Sequence, residues 1–134
     1  MKVILNKCFG GFSPSHEAYK LYAKKKGLKL FAYELSADLR YKRADDKTGI
    51  LITYTTRDYG DHPKYNVFFE ENDILYLGSD HREDPVLIEV VEELGKKASS
   101  FVSDLRIVNI PDGMDYVIDE YDGIETLHAR VQEW

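Results

Sequence analysis

"KVILNKCFGGFSPSHEAYK", residues 2–20, decides how the chain is read. The run "KVILN" is compact and β-branched, as a buried strand is. Gly10 and Gly11 break it. Ser13 then reads as a helix N-cap with Pro14 at the first helical position. Ala18, Leu21, Tyr22 and Lys25 share one face at helical spacing, and Gly27 stops the helix. "LKLFAYEL", 28–35, follows as a second strand. Strand, glycine turn, helix and strand in this order predict a β-α-β start, with a right-handed crossover and two parallel strands.

Beyond it the alternation breaks. "ADDKTG" reads as a turn before the strand-like "ILITYTT", and "RDYGDHPKYN" as a polar loop. "VFFEENDILYLG" adds at most a short edge strand. Residues 36–80 therefore read as an irregular insertion within a single domain of 1–134. Order returns at Asp84, which caps a helix opened by Pro85. Val86, Leu87, Val90, Val91 and Leu94 form its apolar stripe, and the helix runs over about 85–98, with Gly95 either ending it or carried within it. "LRIVNIP" is a third core strand. "YVIDEYDGIETLHA" carries an Asp-Gly hairpin signal; a terminal helix from Ile124 also fits, because Ile124, Leu127 and Val131 keep helical spacing. The fold class is α/β or α+β, with a small mixed sheet and a C-terminal hairpin.

Composition bounds the function. The chain has 134 residues, with 43% hydrophobic and 31% charged residues, an ordinary globular balance. No apolar run is long enough to span a membrane. "MKVILNK" is broken by charge too soon for a secretory signal, and the lone Cys8 excludes an internal disulfide, so a cytoplasmic location is expected. Residues 1–49 hold 11 Lys/Arg and 5 Asp/Glu, a balance of +6; residues 50–134 hold 7 and 19, a balance of −12. The acidic remainder argues against a broad nucleic-acid surface, while the basic part suits an anionic ligand or is simply a solvated helix face at Lys20, Lys24, Lys25 and Lys26.

Gly10–Ser15 is the leading candidate site. A helix N-terminus after a strand offers N–H groups to phosphate or carboxylate. Lys7, Gly10, Gly11, Ser13, Ser15 and Arg82 are the candidate ligand-binding residues. A tight turn that needs small residues explains the glycines better than the motif does, since neither GxGxxG nor a P-loop pattern occurs. His16 and Glu17 are the candidate acid/base pair, although Glu17 also suits a first helical turn electrostatically. Cys8 reads as a nucleophile or as a small buried hydrophobe. Asp119, Glu120, Asp122 and Glu125 form an acidic group that binds a cation or is solvated charge. His62, His81 and His128 lack zinc spacing. Neither a metal nor a cofactor is called for.

Four blocks carry a resemblance: "KCFGGFSPSHEA" at 7–18, "REDPVLIEVVEELG" at 82–95, "LRIVNIP" at 105–111 and "EYDGIE" at 120–125. In these the chain resembles a family of short proteins encoded by phages and prophages of bacteria. Pro14 stands where that family more often has leucine. Val131 and Gln132 replace its closing His-Arg pair, while Trp134 keeps its tryptophan. The resemblance implies a viral or prophage origin and a small accessory role, and it implies no activity. Three functions follow: a binding module for a phosphorylated small molecule or nucleotide at the Gly10–Ser15 turn, a hydrolase or transferase on a nucleotide-like substrate, or a host-protein interaction factor without a pocket. The last would use aromatic residues of the insertion, Tyr54, Tyr59, Tyr65, Phe68 and Phe69.

Overall fold

The computed structural model describes residues 1–36, 38–44, 52–63 and 69–130. The turn expected at 45–49, Ile50, Tyr65, Phe68, Val131, Gln132 and Trp134 lie outside the described residues. In chain order the elements are β1 (Lys2–Asn6), α1 (His16–Lys26), β2 (Phe31–Leu35), β3 (Tyr41–Arg43), β4 (Ile52–Thr55), α2 (Pro85–Leu94), β5 (Leu105–Asn109), β6 (Tyr116–Tyr121) and β7 (Ile124–Ala129). This is a small α+β fold. The chain divides into two compact units, Met1–Tyr22 with Leu77–Trp134, and Ala23–Tyr76.

In the first unit Val3, Ile4, Leu5 and Asn6 are all buried. The strand they form pairs antiparallel with β5, Ile4 opposite Ile107. Helix α2 packs against both strands and buries Leu87, Val90 and Val91, which follows from its apolar stripe. Gly95 ends α2, its N–H bonded to the Val91 carbonyl, and a 3-10 turn carries the chain from Gly95 to Ala98. β6 and β7 form the hairpin that Asp-Gly announces, turning at Asp122 (φ 50°) and Gly123 (φ 90°). Two successive positive φ values match the right-handed twist of the strands they join.

The predicted parallel crossover is not formed. β1 and β2 lie in different sheets, and every strand pairing among the described residues is antiparallel. The edge of β1 away from β5 is already filled: the Ile4 N–H donates to the Arg82 carbonyl at 2.9 Å, and the Asn6 N–H to the Glu125 carboxylate at 2.8 Å. In β2 the two successive residues Ala32 and Tyr33 are buried, Phe31 and Glu34 are half-buried and Leu35 is exposed. The start of α1 also differs from the reading of Ser13 as its cap. Ser15 Oγ accepts the Ala18 N–H at 3.1 Å, whereas Pro14 forms a β-bridge with Ser99. The helix thus opens at His16.

At α2 the cap is as read. Asp84 accepts the Val86 N–H at 2.9 Å, and its other oxygen accepts the Tyr22 hydroxyl at 2.6 Å. Burial works against the Asp84 charge, but the bonds from Tyr22 and from the backbone of Val86 and Leu87 outweigh it and hold the carboxyl below its usual range. Burial, then the Asp84 bond and charge, pushes the Tyr22 phenol well above its ordinary value. A carboxyl lowered by folding stabilises fully above the ordinary carboxylate range and loses that contribution as pH falls through its folded value. Asp84→Asn should therefore lower stability at pH 7 by about 1 kcal/mol, and by less as the acid range is entered. Urea melts of both proteins at about pH 7 and about pH 3 check this; an equal difference at the two pH values would contradict it.

The second unit is built on β2, flanked by β3 and β4. Tyr33 is fully buried, and Phe69 packs against the rings of Tyr33, Tyr41 and Tyr59. Arg43 lies over the rings of Phe31 and Tyr33 and pairs with Asp58 and Asp61. Tyr54 is buried as well. Of the insertion's aromatics, Tyr54 is thus buried, while Tyr59 and Phe69 are half-buried in this unit's aromatic cluster.

Candidate functional site

Asn6 ends the apolar run "VILN" and is completely buried. Each of its side-chain polar groups has a partner. Nδ2 donates to the carbonyls of Cys8 (2.8 Å) and Gly123 (2.7 Å), and Oδ1 accepts the Asp104 N–H at 2.9 Å. One side chain thereby ties the glycine loop, the hairpin turn and the start of β5 together. Buried amides persist only when satisfied in this way.

Beside it lies a buried ion pair. Arg82 Nη1 and Nη2 donate to the two Glu125 oxygens at 3.1 and 3.0 Å, and Nη1 also donates to the Ile4 carbonyl. The two side chains are 13% and 8% exposed. Phe12 covers the guanidinium, its ring centre 5.5 Å from it. The bidentate geometry suits the planar fork of arginine.

These contacts fix what the nominated residues are doing. The Lys7 ammonium donates to the Glu125 carbonyl. Ser13 Oγ meets Ser100 Oγ at 2.7 Å, and the Ser13 carbonyl accepts from Ser103 Oγ at 2.6 Å. Ser15 Oγ donates to the Lys97 carbonyl and caps α1. Gly10 and Gly11 adopt φ of 119° and 107°. A Cβ on Gly10 would stand 2.5 Å from the Val102 carbonyl oxygen, while one on Gly11 would meet nothing within 4 Å. His16 is half-buried and Glu17 exposed in the first turn of α1. The structure thus brings Lys7, Gly10, Gly11, Ser13, Ser15 and Arg82 around one loop, each polar side chain among them held by an internal partner.

Three turns meet at this loop. Gly10 lies against Val102, in the turn Ser100–Ser103 closed by the Ser103 N–H on the Ser100 carbonyl. Gly123 lies against the nitrogens of Gly10 and Gly11, so close that a Cβ would fall 2.7 Å from both. Each turn carries an aromatic outward: Phe9 is 63% exposed, Phe101 74% and Tyr121 77%. Sequence reading missed this trio, and only the placement of aromatics beside Gly-Gly, within "SSFVSD" and beside Asp-Gly hinted at it. Single exposed apolar residues are common; three on converging turns are not.

The acidic group divides. Glu125 turns inward, Asp119 pairs with His128 at 3.0 Å, and Glu120 and Asp122 face outward. Among the described residues no group of three or more His, Cys, Asp or Glu could hold a metal ion, and no helix is long and apolar enough to cross a membrane. In the second unit a groove of about 520 Å³ is lined by Asp38, Arg40, Tyr41, Lys42 and His62 among others. Asp38 pairs with Arg40, and Lys42 with Glu34, and none of the nominated residues lines it. No protein-family model, no curated protein and no solved structure matches the chain, so its function is argued from its own residues.

Proposed function

We propose that the protein is a small binding factor that engages a protein partner through the rim formed by Phe9, Phe101 and Tyr121. The observation that carries this reading is that three largely exposed aromatic side chains stand on turns whose backbones approach one another closely. Aromatic side chains presented from a rigid base lose little entropy on binding and dominate interface energies. The rigid base is the Asn6 amide and the Arg82–Glu125 pair. Taken with the resemblance, this is an accessory protein of phage or prophage origin acting on a protein of its bacterial host.

The test is capture of a partner from bacterial lysate, followed by calorimetric titration of that partner in purified form. The variant Phe9→Ala/Phe101→Ala/Tyr121→Ala should bind it at least about 100-fold more weakly, since two lost anchors of about 2 kcal/mol each suffice. Its melting temperature should be unchanged, because the three rings are outside the core. Equal affinity of the variant would overturn the reading. A nucleotide or sugar phosphate that stabilises the protein, and ceases to do so in Gly11→Val, would overturn it in favour of an anion site at Gly10–Ser15.

A further inference from the structure

We infer that the partner presents arginine or lysine side chains to this rim; the inference rests on the reading of the rim as a docking surface and names the chemistry of its occupant. The three turns span residues 8–11, 100–103 and 120–123, and the only groups on them charged at neutral pH are the carboxylates of Glu120 and Asp122. Both are exposed, next to Tyr121 in the sequence, and neither carboxylate makes a hydrogen bond or ion pair among the described residues. The flanking cations are occupied. Lys7 is held by the Glu125 carbonyl, Arg82 by the Glu125 carboxylate, and Arg106 pairs with Asp104 at 2.8 Å. Lys96 and Lys97 lie outside the three turns, on the 3-10 segment that binds Ser15.

Exposed carboxylates without an internal partner attract cations by charge pairing, and exposed ring faces attract them independently. Phe9 and Phe101 offer further ring faces to the alkyl stems of such side chains. An acidic partner would face two carboxylates that have no ion-pair partner of their own, and like-charge juxtaposition is costly. Residues 50–134, which supply two of the three turns, carry the chain's whole acidic excess.

The experiment titrates the isotopically labelled full chain with a nona-arginine peptide and with an equally long glutamate peptide, followed by amide NMR shifts. The expected result is that the arginine peptide alone binds, that its largest shifts fall in residues 8–11, 100–103 and 119–124, and that affinity drops as salt rises from about 50 to about 300 mM. Glu120→Gln/Asp122→Asn should weaken it about tenfold; asparagine is chosen at position 122 because it accepts the positive φ of that turn. Shifts spread equally over Glu89, Glu92 and Glu93 of α2, or unchanged affinity in the double variant, would overturn the inference. The captured partner separates this from failure of the proposed function. Binding that needs the aromatic trio but not Glu120 and Asp122 would leave the docking surface standing and remove its preference for a basic partner. Binding that needs neither would remove both.

Discussion

Glu125→Ala should lose about 3–5 kcal/mol of stability, because it leaves a buried guanidinium without its counter-charge. With a urea slope of about 2 kcal/mol/M the midpoint falls by about 2 M. Glu125 accepts from Arg82 through both oxygens and from the Asn6 N–H, so its removal strands three donors at once. Arg82→Met should cost a similar amount, for the mirrored reason. Replacing both, as Arg82→Met/Glu125→Leu, should cost less than the sum of the single losses by about 1–3 kcal/mol, since one desolvated pair is removed rather than two lone charges created. The Asn6 N–H stays unpaired in the double variant, so full recovery is not expected. Strict additivity would show that the pair does not act as a unit. The same series bears on function. A residue held in reserve for an anion is strained in the free protein, and its removal stabilises. A loss on Arg82→Met marks this arginine as part of the scaffold under the rim.

The elements with local causes were the ones legible in the sequence. Asp84 and Pro85 before an apolar stripe define α2 through cap chemistry and periodicity, and Asp122-Gly123 defines the hairpin through φ alone. The helix-opening serine was ambiguous for a tertiary reason. Ser13 and Ser15 flank Pro14 symmetrically, and only the bridge from Pro14 to Ser99 selects Ser15. The partner of β1 was beyond local reading too, since its second edge is closed by Arg82 and Glu125, far along the chain. Of the candidate site, the loop itself was found. Asn6 passed as the end of a strand, and Glu125 was hidden in an acidic group whose members look alike until one of them turns inward. The interaction reading of the insertion needed Tyr54, Tyr59 and Phe69 at the surface; Tyr54 is buried, and Tyr33 and Tyr41 pack on the half-buried Phe69.

Gly10→Ala and Gly11→Ala should differ sharply, although the two glycines are neighbours with similar φ. Both replacements strain the backbone, by about 1–3 kcal/mol. Only Gly10→Ala also drives a methyl group to 2.5 Å from the Val102 carbonyl oxygen and 2.8 Å from the Val102 Cβ, where Gly11→Ala meets open space. Overpacking against backbone costs about a further 1–3 kcal/mol, so Gly10→Ala should unfold at the lower urea concentration. Gly123→Ala belongs with Gly10→Ala, its methyl group 2.7 Å from the nitrogens of Gly10 and Gly11. The consequence reaches the rim, because these are the two points where the Phe101 and Tyr121 turns touch the Phe9 turn. If the rim is the docking surface, Gly10→Ala and Gly123→Ala should weaken partner binding without removing a single contact atom, while Gly11→Ala spares it. Equal losses of stability and binding in Gly10→Ala and Gly11→Ala would mean that the glycines answer only to their φ angles, and that the three turns are not held in register by their close approach.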